Sequence, residues 1–234
     1  VGAPEFVMGH RYGQLQEQVE EWSNRGSRVL LVAAHAGELS DFLEPGKLRP
    51  LALVILSNRI RPAATQTFAY FKEQGVKIKV ISGDNPLTVA QVALRAGIEG
   101  AENYVDVTTL DTDEAIREAA VRCTVFGRVT PDQKKRLLAA LKSAGHTVAM
   151  TGDGVNDVLA LKEADCSVAM ASGAQAASQV AQLVLLRSDF AAMPAIVGEG
   201  RRVINNIQRS AALFLVKNIF SFFWINYNWW YHRR

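Results

Sequence analysis

The chain has 234 residues, of which 49% are hydrophobic, enough to bury a sizeable core and to exclude a disordered polar tract. A formal net charge of +3, with no basic run interleaved with aromatics, argues against a nucleic-acid partner. Cys123 and Cys166 fall in apolar, strand-like runs and no Cys/His spacing suits zinc, so buried free thiols are expected in a reducing environment.

Taken in order, the chain opens Val-Gly-Ala-Pro-Glu-Phe, without an initiator Met or targeting segment, as though cut from a longer protein. A polar helix is expected over Gln14 to Trp22 and a strand over Arg28 to Ala34, after Gly26. Glu38 to Lys47 is polar, contains Pro45 and Gly46, and reads as a surface connection to a second strand at Leu51 to Leu56. From Pro62 the pattern alternates. A helix to Gln74 is stopped by Gly75, a strand covers Val76 to Ile81, and a helix from Pro86 to Ala96 is stopped by Gly97, with proline inside each start and glycine past each end. Asp113 to Arg122 reads as a helix and Cys123 to Phe126 as a strand. Thr130-Pro131-Asp132-Gln133 has capping-box spacing and opens a helix ending before Gly145. Strands follow at Thr147 to Met150, Cys166 to Met170 and Leu183 to Leu186. Alternating units of this length imply an α/β fold with a doubly wound parallel sheet. Ala211 to Ile225 is almost wholly apolar, broken by Lys217 and Asn218, and falls short of the about 20 apolar residues of a spanning helix; it reads as a helical membrane stub with a basic ending, Arg233 and Arg234.

Fold class says nothing about chemistry, which in such sheets sits on the carboxyl-end loops. Three of these are unusually polar. Ser82-Gly83-Asp84-Asn85 offers a hydroxyl, a glycine N–H and a helix N-terminus where a phosphate would lie. Lys134 stands in the first turn of its helix, where an ammonium can neutralise a transferring phosphoryl group. Thr151-Gly-Asp-Gly-Val-Asn-Asp157 places Asp153 and Asp157 where two carboxylates can converge on one magnesium ion, with Asn156 between them. Each has an ordinary alternative: Ser82, Asp84, Asn156 and Asp157 as turn and helix caps, Lys134 as a solvated charge.

The stretch Thr151 to Asp165, reading Thr-Gly-Asp-Gly-Val-Asn-Asp-Val-Leu-Ala-Leu-Lys-Glu-Ala-Asp, closely resembles the hinge motif of P-type ATPases. These are cation pumps of the haloacid dehalogenase-like superfamily that pass through an aspartyl phosphate. Hydroxyl loop, then lysine, then acidic pair is the order of that fold's second, third and fourth motifs. The resemblance implies that Ser82 stands where the pumps usually have Thr, that Lys134 stabilises the phosphate, and that Asp153 binds magnesium with Asn156 and Asp157 in support. The first motif, an aspartate in Asp-Lys-Thr-Gly-Thr, has no counterpart; Asp111-Thr112-Asp113 is better explained as a helix cap. The nucleophile is therefore expected before Val1, and the isolated chain is expected to be inactive.

The same resemblance gives ATP as a ligand. Gly2-Ala3 is similar to the end of the nucleotide domain's Lys-Gly-Ala motif, with Val1 in place of the lysine. Arg28 matches the arginine that reaches the ATP phosphates, and Arg128, in Gly-Arg-Val-Thr-Pro, the one that approaches the ribose. Asn58-Arg59-Ile60-Arg61-Pro62 resembles the interdomain motif, with Asn replacing its usual Asp and Arg61 retained. Arg187 replaces an acidic residue. The implied division is residues 1–57 as the end of a nucleotide-binding domain, 58–197 as a phosphorylation domain lacking its nucleophile strand, and 198–234 as stalk and start of a membrane helix. The intact protein is then expected in the cell membrane, with residues 1 to about 210 cytoplasmic. The wording Gly-Val-Asn-Asp-Val-Leu-Ala-Leu-Lys with Ala-Asp-Cys resembles bacterial pumps linked to calcium. Two alternatives stay open: a soluble phosphatase of the superfamily, and a nucleotide- or partner-binding module without a nucleophile.

Overall fold

The computed structural model of the chain describes residues 1–35, 48–57 and 59–233; the connection expected over Glu38 to Lys47, Asn58 of the Asn-Arg-Ile-Arg-Pro motif and the terminal Arg234 lie outside the described residues. Two compact units result, Val1–Phe190 and Ala191–Arg234.

The first unit begins with a short helix α1 (Pro4–Met8) and α2 (Gln16–Asn24), which precede a two-stranded antiparallel sheet. Its strands, β1 (Ser27–His35) and β2 (Leu48–Ser57), pair from Ser27 opposite Ser57 to His35 opposite Leu48. Alternation of buried and half-exposed residues along β1 reflects one face packed inward, with Val29 and Leu31 buried. Gly2 adds a single bridge: its N–H donates to Leu31 O at 3.1 Å, and Leu31 N–H donates to Gly2 O at 2.8 Å. That bridge fixes Gly2-Ala3 on the hairpin edge.

From residue 64 the chain alternates as its pattern requires: α3 (Ala64–Glu73), β3 (Val80–Ile81), α4 (Pro86–Arg95), β4 (Tyr104–Asp106), α5 (Asp113–Arg122), β5 (Val125–Gly127) and α6 (Pro131–Ser143). β5 lies between β3 and β4, parallel to both. Its successive side chains point to opposite faces. Val125 packs into a cluster with Ala90, Ala93, Ile98 and Ala101, whereas Phe126 packs with Ile116, Ala120, Leu137 and Leu141. Helices therefore cover both faces of this sheet. The remaining strands β6 (Ala149–Gly152), β7 (Cys166–Met170) and β8 (Leu183–Leu185), with α7 (Val158–Glu163) and α8 (Gln175–Val180), form a second parallel sheet in the order β6-β7-β8.

The parallel α/β architecture is as expected, but the single sheet is corrected to two three-stranded ones. β3 and β6 are each the end strand of their sheet, and the difference in burial follows: Val125, Phe126 and Val168 are 0–1% exposed, while β3 is half-buried and Ala149 is exposed. The strand expected over Val76 to Ile81 shrinks to two residues, because a strand forms only where a neighbour completes its hydrogen-bond ladder. β4 is not legible from the sequence, since Tyr-Val-Asp is too short to show a period. Cys123 is buried and Cys166 half-buried, and both are free.

The second unit carries α9 (Met193–Tyr231), a single 39-residue helix of roughly 58 Å at 1.5 Å per residue. Among the described residues no helix is both long and apolar enough to cross a membrane. Length suffices in α9; Lys217, Asn218, Asn226 and Asn228 interrupt its apolar run.

Candidate active site

The loop after β3 is shaped by its own polar groups. Ser82 Oγ accepts from Asp84 N–H at 3.1 Å, which leaves the hydroxyl proton free to donate. Asn85 caps α4 by accepting from Leu87 N–H at 3.0 Å, with Pro86 at the first helical position. Between them, Gly83 N–H has no protein acceptor among the described residues. The loop before α6 is tied to this one, Val129 N–H donating to Ser82 O at 3.0 Å and Arg128 N–H to Asp84 O at 2.9 Å.

That second loop ends in the expected capping box, with Thr130 Oγ1 accepting from Gln133 N–H and the Gln133 side chain accepting from Thr130 N–H. A fixed first turn aims Lys134 at the loop after β6. There Lys134 Nζ donates to Asp157 Oδ1 at 2.6 Å, with side chains 12% and 10% exposed. The other oxygen, Asp157 Oδ2, accepts from Asp153 N–H at 3.2 Å and Gly154 N–H at 3.1 Å. Asp157 is thus committed on both oxygens. Asp153, by contrast, is exposed and its carboxylate has no protein partner among the described residues. Asn156 is exposed in the 3-10 turn Val155–Asp157.

Two glycines seat this loop, Gly152 within the motif itself and Gly173, which sequence reasoning missed. A Cβ on Gly152 would lie 2.6 Å from Asp157 Cβ, and one on Gly173 would overlap the Asp153 carbonyl oxygen. Ala174 N–H donates to that same oxygen at 2.6 Å. The signal for Gly173 is a glycine three residues past the end of the strand Cys166 to Met170. Gly127 is the third such position, its Cβ direction being filled by Pro86 of α4.

A cavity of about 420 Å³ opens between the hairpin and the Ser82 loop. Gly2, Ala3, Arg28, Gly83, Asp84 and Arg128 all line it, so six residues singled out from sequence converge there. Arg28 Nη2 pairs with Asp84 Oδ1 at 3.2 Å across it. Arg128 takes up a left-handed backbone, φ 53°, and its guanidinium sits between Glu5 and Asp106, at 2.6 Å from each. Burial lowers the Arg128 pKa, but the bonds to these two carboxylates outweigh it and raise the value overall. Arg61 stands apart from this cavity: Nη1 donates to Ser188 O at 3.2 Å and lies 3.8 Å from Asp189. Asp111-Thr112-Asp113 is a cap, with Thr112 Oγ1 accepting from Ala115 N–H.

The donor set fits magnesium as a partial site. Among the described residues no three acidic, histidine or cysteine side chains cluster, yet Asp153 offers a free hard oxygen ligand. Magnesium is commonly held by one or two carboxylates together with phosphate oxygens and water.

Residues 1–165 match the profile of haloacid dehalogenase-like hydrolases. The chain is 47% identical over 224 residues to a "Probable cation-transporting ATPase exp7" of Streptococcus pneumoniae, and 49% identical over 222 residues to a "Calcium-transporting ATPase CtpE" of Mycobacterium bovis. These alignments take in 95% and 94% of the chain but 28% of each relative, so the chain spans under a third of their length. A solved catalytic domain of a CPx-ATPase aligns over 70% of the chain and 56% of its own, at 24% identity and a TM-score of 0.48.

Proposed function

The chain belongs to the haloacid dehalogenase-like hydrolase family, and on that premise we propose that it serves as part of the catalytic region of an ATP-driven cation pump working through an aspartyl phosphate. The names of the relatives support the pump, and the mycobacterial one supports calcium as the cation. The cell membrane is then the site of the intact protein.

The observation that carries the reading is the pair of open strand edges. Ser82 follows β3 and Asp153 follows β6, and among the described residues each strand lacks a neighbour on one side. Ile81, in β3, and Val148, immediately before β6, pack on the same cluster around Phe126 and Leu137. A further parallel strand joining the sheets would end among Ser82, Lys134 and Asp153, and we place the aspartate nucleophile there.

In that arrangement the aspartate carboxylate attacks the γ-phosphorus of ATP, the bond to the bridging oxygen breaks, and ADP leaves. The Ser82 hydroxyl and Gly83 N–H donate to the phosphoryl oxygens, and the Lys134 ammonium neutralises their charge. Asp153 would hold magnesium, which supplies charge neutralisation at the same oxygens. Asp157 orients this site through Lys134 and the Asp153 N–H, with Asn156 beside it. Gly2, Ala3, Arg28 and Arg128 line the nucleotide's side, while Arg61 braces the segment leading into the α/β unit.

The test is to express the chain with its upstream coding sequence and assay phosphoenzyme formation from ATP. Hydroxylamine-labile phosphate on an upstream aspartate is expected. Label within residues 1–234, or none in the extended protein, overturns the proposal.

A further inference from the structure

Arg128 is held by two carboxylates of very different standing. Asp106 lies at the end of β4, and its side chain is anchored twice more: Oδ1 accepts from Thr108 N–H at 3.0 Å and from Thr108 Oγ1 at 2.6 Å, while Oδ2 takes Arg128 Nη1. Glu5 makes one bond, to Arg128 Nη2, from the five-residue helix α1, whose neighbour Phe6 is 75% exposed. Glu5 and Arg128 line the 420 Å³ cavity, and Asp106 does not. Arg128 Nε is buried without a hydrogen-bond partner. One edge of the guanidinium is therefore fixed from behind, and the other is covered from the cavity side by a carboxylate on a short helix.

We propose that Asp106, braced by Thr108, is the positioning residue that presents Arg128 to a nucleotide, and that Glu5 covers the guanidinium edge which the nucleotide's sugar hydroxyls take over. The proposal rests on the nucleotide reading of the cavity. Arg128 leaves the strand in a left-handed conformation directly after Gly127, whose Cβ direction is closed by Pro86, so the backbone route into the cavity has little freedom. A guanidinium on a long, flexible side chain needs a carboxylate behind it to hold one orientation, and Asp106 supplies two-point geometry through Thr108. Displacement of Glu5 exchanges one charge-assisted bond for neutral ones while the Asp106 bond stays, so Arg128 keeps a counter-charge throughout.

The experiment is equilibrium titration of the 234-residue chain with AMP, ADP and ATP, beside side-chain nitrogen NMR of Arg128. Asp106→Asn, which turns an acceptor facing Nη1 into an amide, is expected to weaken all three nucleotides by the same factor, roughly tenfold, the size associated with losing a hydrogen bond to a charged group. It is also expected to collapse the separate Nη signals that the locked guanidinium gives in the parent. Thr108→Val, which keeps every charge, is expected to weaken binding roughly threefold, and Glu5→Gln to strengthen it by a similar factor. Parent-like binding by Asp106→Asn, or a loss confined to ATP, overturns the positioning role and leaves the nucleotide reading intact. A parent chain that binds none of the three overturns the nucleotide reading and this proposal with it.

Discussion

Lys134 and Asp157 meet at 2.6 Å in a nearly closed environment, and the same carboxylate reaches back to the N–H groups of Asp153 and Gly154. One buried acid thereby ties the first turn of α6 to the loop after β6. Removing the ammonium leaves a carboxylate that is 10% exposed without its counter-charge. Lys134→Ala is expected to cost about 3 kcal/mol in urea unfolding, the lower end for breaking a buried pair. Pairing it with Asp157→Asn should recover part of that loss, and a double mutant no more stable than the single one would contradict the coupling.

Gly173 and Gly198 give opposite expectations for one substitution. At Gly173 a methyl enters the Asp153 backbone, so Gly173→Ala is expected to destabilise by about 1–3 kcal/mol and to shift Asp153. At Gly198, inside α9, nothing lies within 4 Å, and Gly198→Ala is expected to stabilise by up to about 1 kcal/mol. Thermal melts of both variants check the contrast.

Asp153 separates chemistry from stability. Its carboxylate is exposed and unpartnered among the described residues, so Asp153→Asn is expected to change the chain's stability by no more than about 0.5 kcal/mol. In the upstream-extended protein the same change is expected to abolish magnesium-dependent phosphoenzyme formation; unchanged phosphorylation would remove Asp153 from the metal site. The 234-residue chain alone is expected to take up no phosphate from ATP.

Acid should loosen the Arg128 clamp. Burial works to raise the Asp106 pKa, but the hydrogen bonds from Thr108 and Arg128 outweigh it and hold the value below that of an ordinary aspartate. A depressed folded value means that the stabilisation is present above the unfolded value, near pH 4, and is lost as pH falls through the lower folded one. Unfolding measured from about pH 5 downward should show a slope from this group that Asp106→Asn removes.

Much of the architecture is legible one segment at a time, because local chemistry is enough to set it. Asn85-Pro86, the Thr112 cap and the Thr130/Gln133 box start their helices, and Gly75, Gly97 and Gly145, all at positive φ, follow their ends. The order of Ser82, Lys134 and Asp153 along the sequence singles out the three loops to which the proposed chemistry is assigned. Where a boundary depends on a distant partner, segment reasoning fails. Val76 to Lys79 has an extended, apolar pattern, yet only Val80 and Ile81 find a ladder.

What the sequence by itself determined is which loops are polar enough to be proposed for phosphate chemistry and where most helices start and stop, since capping, proline and glycine act within a few residues. Only the tertiary structure decided that Asp157 belongs to Lys134, that Gly173 seats Asp153, that Arg128 is clamped between Glu5 and Asp106, and that β3 and β6 are open edges among the described residues. The physical reason is common to all four: each depends on groups separated by about 20 residues or more in the chain, or on a strand neighbour, and only close packing brings those groups within reach.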